Sequence, residues 1–187
     1  MTELILSLPI PSVRWLRLGL DEAGRDQLIA AQYDRLAAHA PELAGDSGLR
    51  ETFTTTLRKL ASRYQDDGTQ IAAVEWDPRT GPAPQSVIEV RVLPWTGTDL
   101  AVELAEPREG DVGERSVEPA ELPAGPAVRV RYVTKDGTEP DRDVVEYWLP
   151  LPDQAVAVVA SCATTRLDDA DRYAAIFDHL VERFSLT

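Results

Sequence analysis

The sequence predicts an α+β fold: a single domain, residues 1–187, with a mostly antiparallel sheet, two N-terminal helices and a C-terminal amphipathic helix packed on the sheet. Two observations lead there. Apolar residues recur at helical spacing near both ends of the chain, whereas the middle, from Ile71 to Ala160, alternates with period two. Gly, Pro and Asp clusters cut that middle into runs of strand length rather than helix length.

Taken in order, Leu4 to Leu18 reads as one or two short strands interrupted by Pro9 and Pro11. Asp21 to His39 reads as a helix, with Leu28, Ala31, Leu36 and Ala40 near helical spacing and Asp21 and Glu22 at its positive end. After a break at Pro41, Gly45 and Gly48, Leu49, Phe53, Leu57, Leu60 and Tyr64 form one helical stripe, capped by Ser47 and stopped by Asp67-Gly68. Ile71 to Trp76 and Ser86 to Leu93 are strands. Asp99 to Glu106 is a short helix capped by Thr98, residues 107–114 are a charged loop, and Arg115 to Leu122 is a polar strand. Gly125-Pro126 turns the chain into Ala127 to Val133, and a long loop marked by Asp136-Gly137 and Pro140 precedes Val144 to Leu149.

Gln154 to Ala160 is apolar almost throughout, as a central strand covered on both faces would be. Ala155, Ala157 and Ala160 leave room for a helix to pack closely on it. That helix is the closing one, Asp168 to Phe184, where Tyr173, Ile176, Phe177, Leu180, Val181 and Phe184 form a broad stripe and Thr165 with Asp168 fits a capping box.

Composition narrows the chemistry. The chain has two histidines and one cysteine, and His39, His179 and Cys162 stand singly, without ligand-like or triad-like spacing. A catalytic set, a metal site and a cofactor site are therefore expected to be absent, and an internal disulfide cannot form. No stretch approaches the ~20 apolar residues of a membrane span, and Met1-Thr2-Glu3 lacks the positive charge that opens a signal peptide, so a cytoplasmic protein away from membranes is expected. The net charge of −13 is concentrated in the second half, with 19 acids against 9 bases over residues 99–187 and 13 against 10 before them. Such a field repels phosphate backbones, which argues against nucleic acid, and it attracts basic proteins.

Two strings invite over-reading. Leu93-Pro94-Trp95-Thr96-Gly97 matches a cell-wall sorting signal but is followed by 90 residues, so it reads as a strand end and turn. Gly45-Asp46-Ser47-Gly48 matches the nucleophile region of chymotrypsin-like proteases but lies between two predicted helices. Cys162, after the apolar strand, reads as a small core filler. Asp168, Asp169 and Asp171 read as a helix start, although three acids so close suit a divalent cation.

The constellation with most functional content is on the sheet. Alternation sets Glu89 and Arg91 opposite Ile88, Val90 and Val92, and sets Arg129 and Arg131 opposite Val128, Val130 and Tyr132. Glu146 and Trp148 share a face as well. If the strands are neighbours, the expectation is one sheet face of paired charges with Trp148 as anchor, which is either a solvated set of ion pairs or a protein-binding surface.

The opening from Leu8-Pro9 to Trp15, the string Leu122-Pro123-Ala124-Gly125-Pro126-Ala127-Val128-Arg129 and the strand Tyr147-Trp148-Leu149-Pro150 before a final amphipathic helix resemble small actinobacterial α+β proteins. The element order is similar to the PsbP-like fold, shared by mycobacterial lipoproteins of the LpqN type. That resemblance implies an antiparallel sheet flanked by helices and carries no shared catalytic residue. The lipoproteins also need an export signal and a lipidated cysteine near the start, neither of which is expected from Met1-Thr2-Glu3 and the residues after it.

The functional expectation is a non-enzymatic protein-binding module, an adaptor, secretion chaperone or toxin-neutralising partner, using the acidic second half and a face bearing Arg129, Arg131, Glu146, Trp148, Glu89 and Arg91. The alternatives are a small hydrolase or isomerase that works with carboxylates such as Glu75 or Glu146, and a structural subunit of a homo-oligomer or larger assembly.

Overall fold

Seven strands join into one antiparallel sheet, and their spatial order departs from chain order at one point. The computed structural model describes residues 5–11, 15–81, 83–95, 97, 99–135 and 140–186. The strands are β2 (Trp15–Arg17), β3 (Thr69–Glu75), β4 (Ser86–Pro94), β5 (Asp111–Leu122), β6 (Gly125–Thr134), β7 (Arg142–Leu151) and β8 (Val156–Thr164), in the order β2-β3-β4-β8-β7-β6-β5. β8 is made last of the seven and sits in the middle, antiparallel to β4 on one side and β7 on the other. A separate two-stranded ribbon pairs β1 (Leu6–Ser7) with β9 (Ser185–Leu186).

Helices cover both faces of the sheet. α1 (Glu22–His39) and α2 (Ser47–Asp66) cover one face at the β2-β3-β4 end, where Phe53 and Leu57 meet Leu16, Ala72 and Val74. The short α3 (Leu100–Ala105) covers the same face at the other end, with Leu100 and Leu104 on Val130. α4 (Ala170–Val181) lies on the opposite face, and its Tyr173, Phe177, Leu180 and Val181 pack against Ile88, Val90, Val145, Val158 and Ala160. This is a single α+β domain, and β8 is the central strand its apolar run implies.

Several local expectations need correction. The buried stripe of α1 is Arg25, Ile29, Gln32 and Tyr33, while Ala31 is exposed and Leu28 only half-buried. Two polar side chains occupy that stripe because the loop before α1 supplies acceptors. Arg25 donates to the carbonyls of Gly19 and Leu20 and to Gln65 Oε1, and Gln32 donates to the Arg17 carbonyl. Gly19 is required there, since a Cβ would stand 2.9 Å from the Arg25 Cα.

The cap of α2 is Asp46, whose carboxylate accepts from the Leu49 N–H, and Ser47 is the first helical residue. Asp99 caps α3; Thr98 lies outside the described residues, as do Asp136, Gly137 and Thr96. β5 starts four residues earlier than the alternation indicates, because a register shift between Val112 and Ser116 hides its period. The turn before β6 is Pro123-Ala124, with Gly125 at φ +134° entering the strand.

The expected capping box of the last helix does not form. Thr165 instead donates to the Gln85 carbonyl, a 3₁₀ turn occupies Leu167–Asp169, and α4 begins at Ala170. Phe184 lies beyond the helix end yet is 1% exposed. Of the three alanines expected beneath α4, only Ala160 is in its core: Ala157 pairs beside Leu93 and Pro150, and Ala155 is a turn residue at φ +54°.

Candidate functional site

The six residues singled out on the sheet do not share one face. Register pairs Val130 with Glu146 and Val128 with Trp148, so Glu146 and Trp148 lie on the α3 face. Ser161 pairs with both Glu89 and Glu146, which brings Glu89 and Arg91 onto that face too. Arg129 pairs with Tyr147 and Arg131 with Val145, which turns both arginines to the α4 face. The sequence showed the alternation within each strand but not the register between strands, and register decides which sets join.

Arg129 and Arg131 are engaged in holding α4. Arg129 grips the Asp178 carboxylate through Nε and Nη2 at 3.0 and 3.1 Å, and the Tyr147 hydroxyl donates to the same carboxylate at 2.9 Å. Arg131 bridges Asp143 on β7 at 3.0 Å and Asp171 on α4 at 2.7 Å. Burial and the Asp178 carboxylate beside it push the Tyr147 phenol well above its ordinary range. Asp171 and Asp169 each have a basic partner, and no group of acids, histidines or cysteines among the described residues has metal-ligand geometry.

The four residues of the α3 face form a polar seam across the sheet between α2 and α3. Glu89 accepts from Thr69 and Ser161, and Arg91 stands 3.5 Å from Glu89 and 4.0 Å from Glu146. Glu146, 4% exposed, accepts from the Tyr132 hydroxyl at 3.2 Å and the Trp148 indole N–H at 2.8 Å. Burial and Glu146 together raise the Tyr132 phenol. Trp148 is half-buried and spends its N–H inside the seam, so it is not the exposed anchor that the alternation implied.

Beside the seam, α3 and β5 form an outer edge of different character. β5 is the last strand of the sheet, and α3 packs on it. Glu103, Glu106 and Glu109 are exposed on α3 and the loop after it, Glu114, Glu118 and Glu121 are exposed on β5, and Val102 and Val112 are exposed in the same two elements. Of the two bases in the same stretch, only Arg108 is exposed. Arg115 is buried against Asp111 at 2.6 Å and lies over the Tyr132 ring, and Arg108 lies over Trp148.

A half-open cavity of about 510 Å³ lies at another place, where β3 leaves the sheet. The last turn of α1, the β3–β4 connection and the β8–α4 connection bound it, and Arg35, His39, Trp76, Asp77, Arg79 and Arg166 are among its lining residues. Glu75 also lines it and accepts from the Tyr173 hydroxyl. No sequence signal marked this cavity, because its walls come from three separated segments.

The remaining candidates are structural. Cys162 faces the α4 core, where burial pushes its thiol up to about 12, so it carries no thiolate at neutral pH. His179 is exposed beside Glu182, and His39 sits at the end of α1 with Nδ1 2.8 Å from the Arg35 carbonyl. Neither a protein-family model nor a curated protein matches the chain.

Proposed function

We propose that the protein is a non-enzymatic binding module that takes a basic protein partner along its α3–β5 edge. One observation carries the reading: Glu114, Glu118 and Glu121 are exposed on the edge strand β5, and Glu103, Glu106 and Glu109 are exposed on α3 and the loop after it, while the Arg115 side chain is buried and paired with Asp111. Such an edge steers a cationic partner and strengthens the encounter as salt falls. Val102 and Val112, 63% and 49% exposed, offer apolar contact within the acidic field. The resemblance to PsbP-like proteins, which carry no shared catalytic set, points the same way. The proposed binding surface differs from the one expected from sequence, since Arg129 and Arg131 hold α4, Glu146 accepts from Tyr132 and Trp148, and Arg91 is drawn into ion pairs with Glu89 and Glu146.

The test is affinity capture with the wild-type chain and with Glu114→Gln/Glu118→Gln/Glu121→Gln, followed by direct titration of the purified partner. A partner held at low salt, weakened by moderate salt and lost by the triple variant supports the reading. A partner that binds the variant equally well, or a binding constant indifferent to salt, sinks it.

A further inference from the structure

The cavity beside β3 lies away from the acidic edge, and its volume of about 510 Å³ falls within the roughly 300–1,000 Å³ typical of small-molecule sites. Its character depends on which of its polar groups are already engaged. Asp77 accepts from the Arg79 backbone N–H and guanidinium, and Arg79 also holds Glu42 at 2.6 Å. The Arg79 guanidinium keeps the Asp77 carboxyl below its usual range, and the Glu42 backbone N–H together with Arg79 does the same for Glu42. Arg166 is paired with Asp169 and bonded to the Tyr173 hydroxyl, which in turn donates to Glu75.

Arg35 is different. It is half-buried, it lines the cavity, and its guanidinium has no hydrogen bond or ion pair among the described residues. The Gln85 side-chain amide, on the same wall, is likewise unengaged. The cavity therefore presents spent carboxylates and an unspent planar cation.

The rest of the wall is apolar apart from His39 and Thr80, which are exposed. Leu36, Ala40 and Leu43 contribute from α1 and the turn after it. Trp76 is fixed twice, by stacking on Phe53 at 5.5 Å and by its indole N–H on the Gly81 carbonyl at 2.9 Å.

We propose that this cavity binds a small organic anion with a planar apolar body, its carboxylate or phosphate held by Arg35 and its body lying against Trp76 and Leu43. A guanidinium fork matches both oxyanions bidentately, so the two share one recognition chemistry. A solvated arginine on an open helix face would need no ligand. Here the side chain stands instead at a concavity with an apolar patch, whose other two arginines are paired with carboxylates.

Titration of the full chain with 8-anilino-1-naphthalenesulfonate, read by fluorescence, tests the proposal, with circular dichroism confirming that each variant is folded. Saturable binding of one probe per chain is expected, weakened roughly tenfold or more by Arg35→Met, partly restored by Arg35→Lys and unchanged by Arg172→Met on the exposed side of α4. Thr80→Trp at the exposed rim should block the probe with Arg35 intact. Displacement by 1-naphthoate or 1-naphthyl phosphate, but not by neutral 1-naphthamide, identifies the anion and separates the carboxylate source from the phosphate source. Equal binding by wild type and Arg35→Met, equal loss in Arg172→Met, an unaffected Thr80→Trp, or equal displacement by the amide would each overturn it.

Discussion

Arg115 and Asp111 are 2% and 5% exposed at their side chains and meet at 2.6 Å, with a second contact at 3.1 Å. Arg115 also lies 4.1 Å from the Tyr132 ring centroid. Removing one partner of a buried pair costs more than the pair contributes, because the other charge stays buried and uncompensated. Asp111→Ala should therefore destabilise the fold by about 3 kcal/mol, whereas replacing both residues with apolar ones should cost much less. Denaturant midpoints of the two single variants and the double variant measure the difference. Arg115 holds the Asp111 carboxyl below its unfolded value, so its stabilisation is complete above about pH 4 and fades as pH falls through the folded pKa. The gap between wild type and Asp111→Ala should accordingly be full at pH 7 and shrink below about pH 4; a gap that widens in acid would contradict the pairing. Arg129 belongs with this group. Arg129→Glu would set a like charge against Asp178 and should lower stability by about 2 kcal/mol, measurable as an earlier unfolding midpoint. A fully stable Arg129→Glu would show that the clamp on α4 is idle.

At the scale of elements, α4 shows what a sequence reveals and what it hides. Its apolar stripe was legible because Tyr173, Phe177, Leu180 and Val181 repeat with the helical period, and all four are buried. Its start was not, because Thr165 is drawn away by the Gln85 carbonyl 80 residues earlier in the chain. α1 teaches the converse: Arg25 and Gln32 look like surface residues until the carbonyls of Gly19, Leu20 and Arg17 are brought over them. The same limit applies to the candidate sites. Alternation within β4, β6 and β7 was visible, but the register that turns Arg129 toward Asp178 and Glu146 toward Tyr132 is a tertiary property. The acidic character of α3 and β5 was legible only as part of the acid excess over residues 99–187, while the cavity, built from distant segments, was not. The packing of α4 makes its own prediction. Phe177 is fully buried and meets Tyr147 edge-on at 6.0 Å, so Phe177→Ala should cost about 3–5 kcal/mol and lower the thermal midpoint by many degrees. A loss under about 1 kcal/mol would mean that the α4 face is loosely packed.

For the molecule as a whole, the net charge of −13 sits unevenly, and the edge strand β5 exposes Glu114, Glu118 and Glu121. An unpaired edge strand is a template for self-pairing, and like charges along it oppose that outcome. The protein should therefore sediment as a monomer at neutral pH and low salt; a dimer under those conditions, lost on shortening or altering β5, would show that the edge serves self-association instead.

The central position of β8 sets the order of events during synthesis. β4 and β7 both take their inner partner from residues 156–164, so each stays unpaired on that side until this late segment arrives. The early unit of α1, α2, β3 and β4 can assemble locally, yet it carries an apolar, open strand until then. A chain halted before residue 156 would hold two adhesive edges in place of one continuous sheet, and such fragments are aggregation-prone by the same pairing that completes the native fold. Long-range closure of this kind also slows folding relative to a simple meander of equal length. The strand that makes the sheet continuous thus makes the intact chain its own protection against misassembly.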